Sequence, residues 1–358
     1  MNNYLINKIK DNIFINIFIL IFLISIVHSL YQIKNFDRHI VFSDNIELHS
    51  MIRGDIEDFW SEGNKIVNDF KKDKNYLESG DEYRRPYLPS KLFAFYSFIT
   101  NKKLYENGKV SLDNSKFLIL FFQNLIYSGL LFLLYKKILD NFEKNIAQLT
   151  ILFLAIEPTL FFYHSSFWSE SIFFSLQLLI IIFVLKKNFN NFDYLILGLL
   201  LGLFYLQRSV AIFYIFPILA LFYLKNKNTI LRSSIIIITG YLLVHIFVGY
   251  HNYVRSGVFY TTSTQAKDGF YIYLAPNILS EKLNISNKDA KKILDKKKKN
   301  WMEENNIDYK NGELDRLSLY KFQQEEAFKI IIHNPVHSLI AISKKTLHFL
   351  VLDPLTHV

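Results

Sequence analysis

Residues 192–224 read FDYLILGLLLGLFYLQRSVAIFYIFPILALFYL. Asp193 and Arg208 are the only charged side chains in that run. Two apolar segments, Phe192–Gln207 and Val210–Leu224, flank the polar turn Gln207-Arg208-Ser209. A helix at the surface of a soluble protein is apolar on one stripe, whereas these segments are apolar all round, as lipid requires. The stretch therefore reads as a membrane hairpin.

The same pattern recurs outward from it. A span needs about 20 apolar residues. Ile13–Tyr31, Phe117–Tyr135, Ile146–Tyr163, Ser166–Leu185 and Ser233–Tyr250 bring the candidates to seven. Ile13–Tyr31 has no small-residue cleavage site after it and reads as a retained first helix. Composition agrees: 51% of the 358 residues are hydrophobic, 16% are aromatic and only 20% are charged. This excludes a cytosolic enzyme, a disordered tail and a collagen-like rod. With no cysteine there is no disulfide, Cys-zinc site or thiol nucleophile.

Leu88–Thr100 is too short to cross unaided and carries Lys91, so it reads as a re-entrant or interfacial helix. Positive-inside counting supports leaving it out. With the N-terminus cytoplasmic, the cytoplasmic edges hold Lys8, Lys10, Lys136, Lys137, Lys144, Lys186, Lys187, Lys225, Lys227 and Arg232, while the two short outer turns hold Arg208 alone. Part of the formal charge of +9 is thus topological and needs no nucleic acid. The expected organisation is a transmembrane core over residues 1–250, with a first outer loop at 32–116. An extracytoplasmic helical segment follows at 251–335, then an interfacial or eighth membrane helix at 336–358. No closing helix precedes Val358, which leaves room for further chain. Ser286 and Asp289 predict a helix start, and Leu314–Ile332 predicts a second helix in the late segment. The lysines from Lys288 to Lys299 read first as a solvated face and second as a contact for lipid phosphates.

Acids, arginines and aromatics gather on the outer side. They occur in Gly54-Asp55-Ile56-Glu57-Asp58-Phe59-Trp60, in Tyr83-Arg84-Arg85-Pro86-Tyr87-Leu88-Pro89, around Glu157-Pro158 and His164 to Glu170, at Arg208, and in His251-Asn252-Tyr253-Val254-Arg255-Ser256-Gly257. Arginine offers a planar, permanent charge that matches phosphate oxygens. A carboxylate near the interface can take a hydroxyl proton. Plainer readings stand beside these. Asp55 and Asp58 suit a polar loop, Arg84 and Arg85 suit interfacial anchors, Glu170 suits a helix start, and Arg208 suits snorkelling. His28, His164 and His251 form no metal motif, and Gly198 with Gly202 suits close helix packing.

The order of these elements resembles the GT-C class of integral-membrane glycosyltransferases, closest to the protein-mannosyltransferase-like and aminoarabinose-transferase-like branch. Asp55 and Phe59 match an acid-bearing first loop. Arg85-Pro86-Tyr87-Leu88-Pro89 matches a basic residue before a proline pair, with Tyr87 in place of the second proline. Pro158 and Glu170 match a proline followed by an acid, and Gly198, Gly202 and Arg208 match a glycine-rich helix ending in a base. Asn252, Tyr253 and Gly257 match an exit motif in which His251 replaces an arginine, and Ala327 with Asn334-Pro335 matches a late pattern.

The resemblance implies an all-α polytopic, GT-C-like bundle with two long extracytoplasmic segments. It implies transfer of a sugar from a polyprenyl-phosphate donor to an acceptor hydroxyl at the outer face of the cell membrane, with inversion. Asp55 would be the general base and Asp58 its backup. Arg85 would contact the donor phosphate, helped by Arg84 and Arg208, with Glu170, His251 and Asn252 lining the cavity. No metal ligands are assigned, and a divalent cation beside Asp58 is left open. The acceptor could be lipid, glycan or protein, and membrane lipids are the remaining partners. A lipid-linked glycan polymerase or ligase is the first alternative, although such enzymes carry their largest outer loop late. A transporter or flippase is the second, and the apolar midplane of Leu195–Phe204 counts against it.

Overall fold

In lipid the backbone must pair its own N–H and C=O groups, and a single segment can do that only as a helix. The computed structural model is helical accordingly. It describes residues 18–31, 59, 62–69, 87–100, 105–106, 109–110, 117–157, 160, 169–225, 230–261, 269–308 and 313–351. The described residues group into two compact units, the first spanning 18–255 with 259–261, the second taking 256–258 and 269–351.

In the first unit, α1 is Phe18–Tyr31, α2 is 62–69 and α3 is Tyr87–Thr100. A minimal antiparallel hairpin pairs Tyr105–Glu106 with Lys109–Val110. Then come α4 (Phe117–Leu139), α5 (Lys144–Ile156), α6 (Ser169–Val184), α7 (Asn191–Gln207), a 3-10 turn at Ser209–Tyr214, α8 (Ile215–Lys225) and α9 (Ile230–Ser256). Among the described residues, Leu118–Leu139 and Ile230–Ser256 are long and apolar enough to cross a membrane. The segments in α1, α5, α6, α7 and the 209–224 stretch are shorter apolar helices. The fold is an all-α polytopic membrane protein.

Several boundaries fall inside the expected spans. The Ile146–Tyr163 segment stops as a helix at Ile156, because Glu157 precedes Pro158 and a residue before proline avoids the helical region. The Val210–Leu224 segment opens with the 3-10 turn. Pro217 has no N–H to give to the preceding turn, so the α ladder starts beside it.

One apolar cluster joins α1, α4, α5 and α6 through Phe18, Tyr127, Leu131, Leu134, Ala147, Ile151 and Leu178. Beside it, Asn124 Nδ2 donates to Ser29 Oγ at 3.0 Å, tying α1 to α4 through two buried side chains. A second cluster joins α6 to α9 through Ile180, Leu197, Leu201, Phe204, Ala211, Ile218 and Ile237. Asn190 and Asp193 form a reciprocal capping box at the start of α7, and Lys186 bonds both Asp193 oxygens at 2.7 Å. The outer faces stay apolar: Phe216, Leu224 and Leu231 are each at least two-thirds exposed, as a lipid-facing surface demands.

Glycines set one helix distance. A Cβ on Gly198 of α7 would lie 2.2 Å from the Ile237 carbonyl oxygen of α9, and one on Gly240 would lie 2.5 Å from that of Leu195. The two backbones touch there because neither residue carries a side chain.

In the second unit a π turn at Phe270–Leu274 leads into α10 (Ala275–Leu283), α11 (Asn287–Glu304), α12 (Glu313–His333) and α13 (Pro335–Val351). Ser286 caps α11 by accepting from Asp289 N at 3.1 Å, as the sequence predicts. The helix expected at Leu314–Ile332 is α12. Tyr271, Ala275, Leu294 and Ala327 form its core, and Trp301 stacks on Phe322 at 4.5 Å. Burial alone would raise the Glu326 carboxyl. Hydrogen bonds from Lys297 and Lys329 prevail and hold it below the usual carboxylate range.

Candidate functional site

The first unit assembles polar side chains at the ends of its apolar helices. Glu170 stands in the first turn of α6, where the helix dipole favours a carboxylate. Arg208 caps the C-terminal end of α7 in extended backbone, its N–H bonded to Phe204 O at 3.1 Å. The Arg208 guanidinium and the Glu170 carboxylate form an ion pair. The Glu170 side chain is 14% exposed and that of Arg208 is 40% exposed. Only one terminal nitrogen of Arg208 is used in this pair. Its Nε is buried and has no hydrogen-bond partner among the described residues. The fork is thus held in place on one side, with donor capacity remaining.

A second set forms where α9 ends. His251 and Asn252 are fully buried. Asn252 Nδ2 donates to Tyr260 O at 2.7 Å, and the Arg255 guanidinium donates to the Tyr260 hydroxyl. Gly257 takes a φ of +76°, a conformation that suits glycine, and the chain doubles back. The Phe259 ring then fills the space over Gly249, where a Cβ would lie 2.2 Å away.

Helix α3 brings Tyr87 and Lys91 to this end. It packs against α7, the helix that ends at Arg208. The Tyr87 ring meets His251 edge to face at 5.9 Å. Lys91, one turn along, sits 5.1 Å over the Tyr87 ring. Burial pushes the Lys91 amine down to about 7, the Arg255 charge pushes the same way, and Glu62 on α2 opposes them. Ser90 donates to Glu62 at 2.6 Å, which fixes that carboxylate.

Of the residues singled out from sequence, Glu170 and Arg208 are in contact, and His251 and Asn252 are buried side by side. Asp55, Asp58, Arg84 and Arg85 lie outside the described residues. Arg255 was noted in the exit stretch without an assigned role, and Lys91, Tyr260, Glu62 and Ser90 were not among the candidates. A lysine inside an otherwise apolar helix was the available signal for Lys91. Nothing local marks Glu62 or Tyr260, which are placed by tertiary packing. Among the described residues no group of three or more His, Cys, Asp or Glu could hold a metal ion.

Residues 109–251 match the family model described as dolichyl-phosphate-mannose-protein mannosyltransferase. The match covers less than half of the chain and is a likeness over that stretch. The glycosyltransferase match runs from the hairpin to the buried end of α9, so it contains Glu170, Arg208 and His251. Asp55, Asp58, Arg84, Arg85 and Asn252 fall outside it. No curated protein and no solved structure matches the chain significantly. This family likeness and the apolar helices together support a membrane glycosyltransferase of GT-C type.

Proposed function

We propose that the protein transfers a sugar from a polyprenyl-phosphate donor to an acceptor hydroxyl at the extracytoplasmic face of the cell membrane. The observation that carries this reading is Arg208, pinned by Glu170 and still holding a buried Nε with no partner among the described residues. A half-exposed guanidinium of that kind is suited to a phosphate oxygen arriving from the membrane side. The leaving group is a phosphate, so charge develops there as the anomeric carbon–oxygen bond breaks, and a fixed guanidinium stabilises it. Asp55 takes the acceptor proton as the new carbon–oxygen bond forms on the opposite side, giving inversion. Arg85 and Arg84 join Arg208 on the phosphate, with Asp58 supporting Asp55. The buried pair His251 and Asn252, with Tyr87 against the histidine, forms the wall beside the reacting sugar.

Purified protein incubated with a panel of polyprenyl-phosphate sugars is expected to release free lipid phosphate. Asp55→Asn should lower release about 10²- to 10⁴-fold while insertion stays intact. A fully active Asp55→Asn variant removes the assignment. Arg85→Ala should raise the donor KM more than the acceptor KM, and equal weakening of both removes the phosphate role from Arg85.

A further inference from the structure

Helix α11 carries its charge on one side. At about 100° per residue, Lys288, Lys291, Lys292, Lys296, Lys298 and Lys299 fall within a sector of about 160°. The buried residues Ala290 and Leu294, with Trp301, lie on the other side. Lys297 falls on that packed side and is paired with Glu326. The remaining lysines are exposed, apart from the half-buried Lys298. Asp295 and Glu303 share the sector and Asp289 lies at its edge, so six lysines face three carboxylates and the sector keeps a charge of +3.

We infer that this face of α11 docks on an anionic phospholipid surface and holds the second unit to the membrane. The composition of the sector selects this occupant. It contains no arginine fork for bidentate readout and no aromatic ring for stacking on bases. It is a field of point charges, which suits a fluid sheet of phosphates with no fixed geometry. The occupant is also close at hand. Helix α9, apolar enough to cross a membrane, ends at Ser256 and α11 begins at Asn287. A short tether of this kind makes a weak surface interaction effectively intramolecular. Each lysine near an anionic surface strengthens attraction about fivefold, so a net three charges give roughly a hundredfold preference over a neutral bilayer. This reading is independent of the transfer chemistry.

The native chain has no cysteine, so Lys296→Cys gives a unique site for a spin label. The labelled full-length protein is placed in nanodiscs of phosphatidylcholine alone or with about 30% phosphatidylglycerol, the latter giving the surface a negative potential. Collision with a water-soluble nickel chelate is then measured. The expected result is at least a twofold fall in accessibility in the anionic discs at low salt, reversed near 0.5 M salt where the Debye length is about 4 Å. Changing Lys288, Lys291, Lys292, Lys298 and Lys299 to Gln should abolish the difference. Equal accessibility in both lipids overturns the inference, and so does a difference that persists at high salt. If the Gln variant loses the helical circular-dichroism signal of the unsubstituted protein, the lipid and salt comparison on the unsubstituted background decides alone. Protection in neutral discs by an added acidic polymer, with none from phosphatidylglycerol, also overturns it.

Discussion

Gly198→Ala tests the contact that sets the spacing of the helices carrying the site. The new Cβ would stand 2.2 Å from the Ile237 carbonyl oxygen, and a workable contact needs 3.0 Å or more. The obstacle is backbone on both sides, so no side chain can rotate away. Helices α7 and α9 must separate by at least about 0.8 Å, at an overpacking cost of about 1–3 kcal/mol. Gly240→Ala meets the Leu195 carbonyl oxygen at 2.5 Å and should behave similarly. Gly202→Ala meets Val244 Cβ at 2.7 Å, an atom fixed by the backbone, and should also force the helices apart, by less than Gly198→Ala does. Gly129→Ala, with nothing within 4 Å of its Cβ, should be neutral or stabilise by about 0.5–1 kcal/mol through helix propensity. Thermal unfolding of the detergent-purified variants ranks them. Because α7 ends in Arg208 and α9 carries His251 and Asn252, the same shift of about 1 Å should lower lipid-phosphate release roughly 10²-fold. If Gly198→Ala unfolds at the same temperature as Gly129→Ala and remains active, the close crossing is wrong.

Two further outcomes follow from the site. Arg208→Ala strips the cation from a largely buried Glu170 and should cost about 1–3 kcal/mol, less than for a fully buried pair because Arg208 is half exposed. A double-mutant cycle with Glu170→Gln should give a coupling of about 0.5–3 kcal/mol, and additive effects would dissolve the pair. Lys91, with its amine near 7 when folded against 10.5 in the open chain, binds fewer protons folded than unfolded between those values. Stability of the first unit should therefore rise with pH across that window. Lys91→Met should flatten the rise in unfolding temperature between pH 7 and pH 10, and an unchanged slope would assign the effect elsewhere.

Apolar runs made the membrane helices legible before any coordinates, because a helix in lipid satisfies its backbone from its own sequence and needs no distant partner. The short Tyr87–Thr100 helix, the Ser286 cap and α12 were readable for the same local reason. Helix ends were less legible. Where Ile146–Tyr163 stops depends on a proline, and where Val210–Leu224 starts depends on a 3-10 turn, while hydropathy runs through both.

Residue type and order marked Glu170, Arg208, His251 and Asn252 as chemically apt. That the first two pair across α6 and α7, and that the last two are sealed beneath Tyr87 and Tyr260, came from the fold alone. Lys91 shows the difference most clearly. The sequence announces an amine in an apolar helix, but its depressed affinity for a proton arises from burial and from Arg255, more than 160 residues away in the chain. The sequence alone determined the helices, their lipid setting and the charge pattern, since these depend on neighbours within a few turns. Tertiary structure decided which charges meet, since electrostatics at a site depends on distance through space and on the exclusion of water.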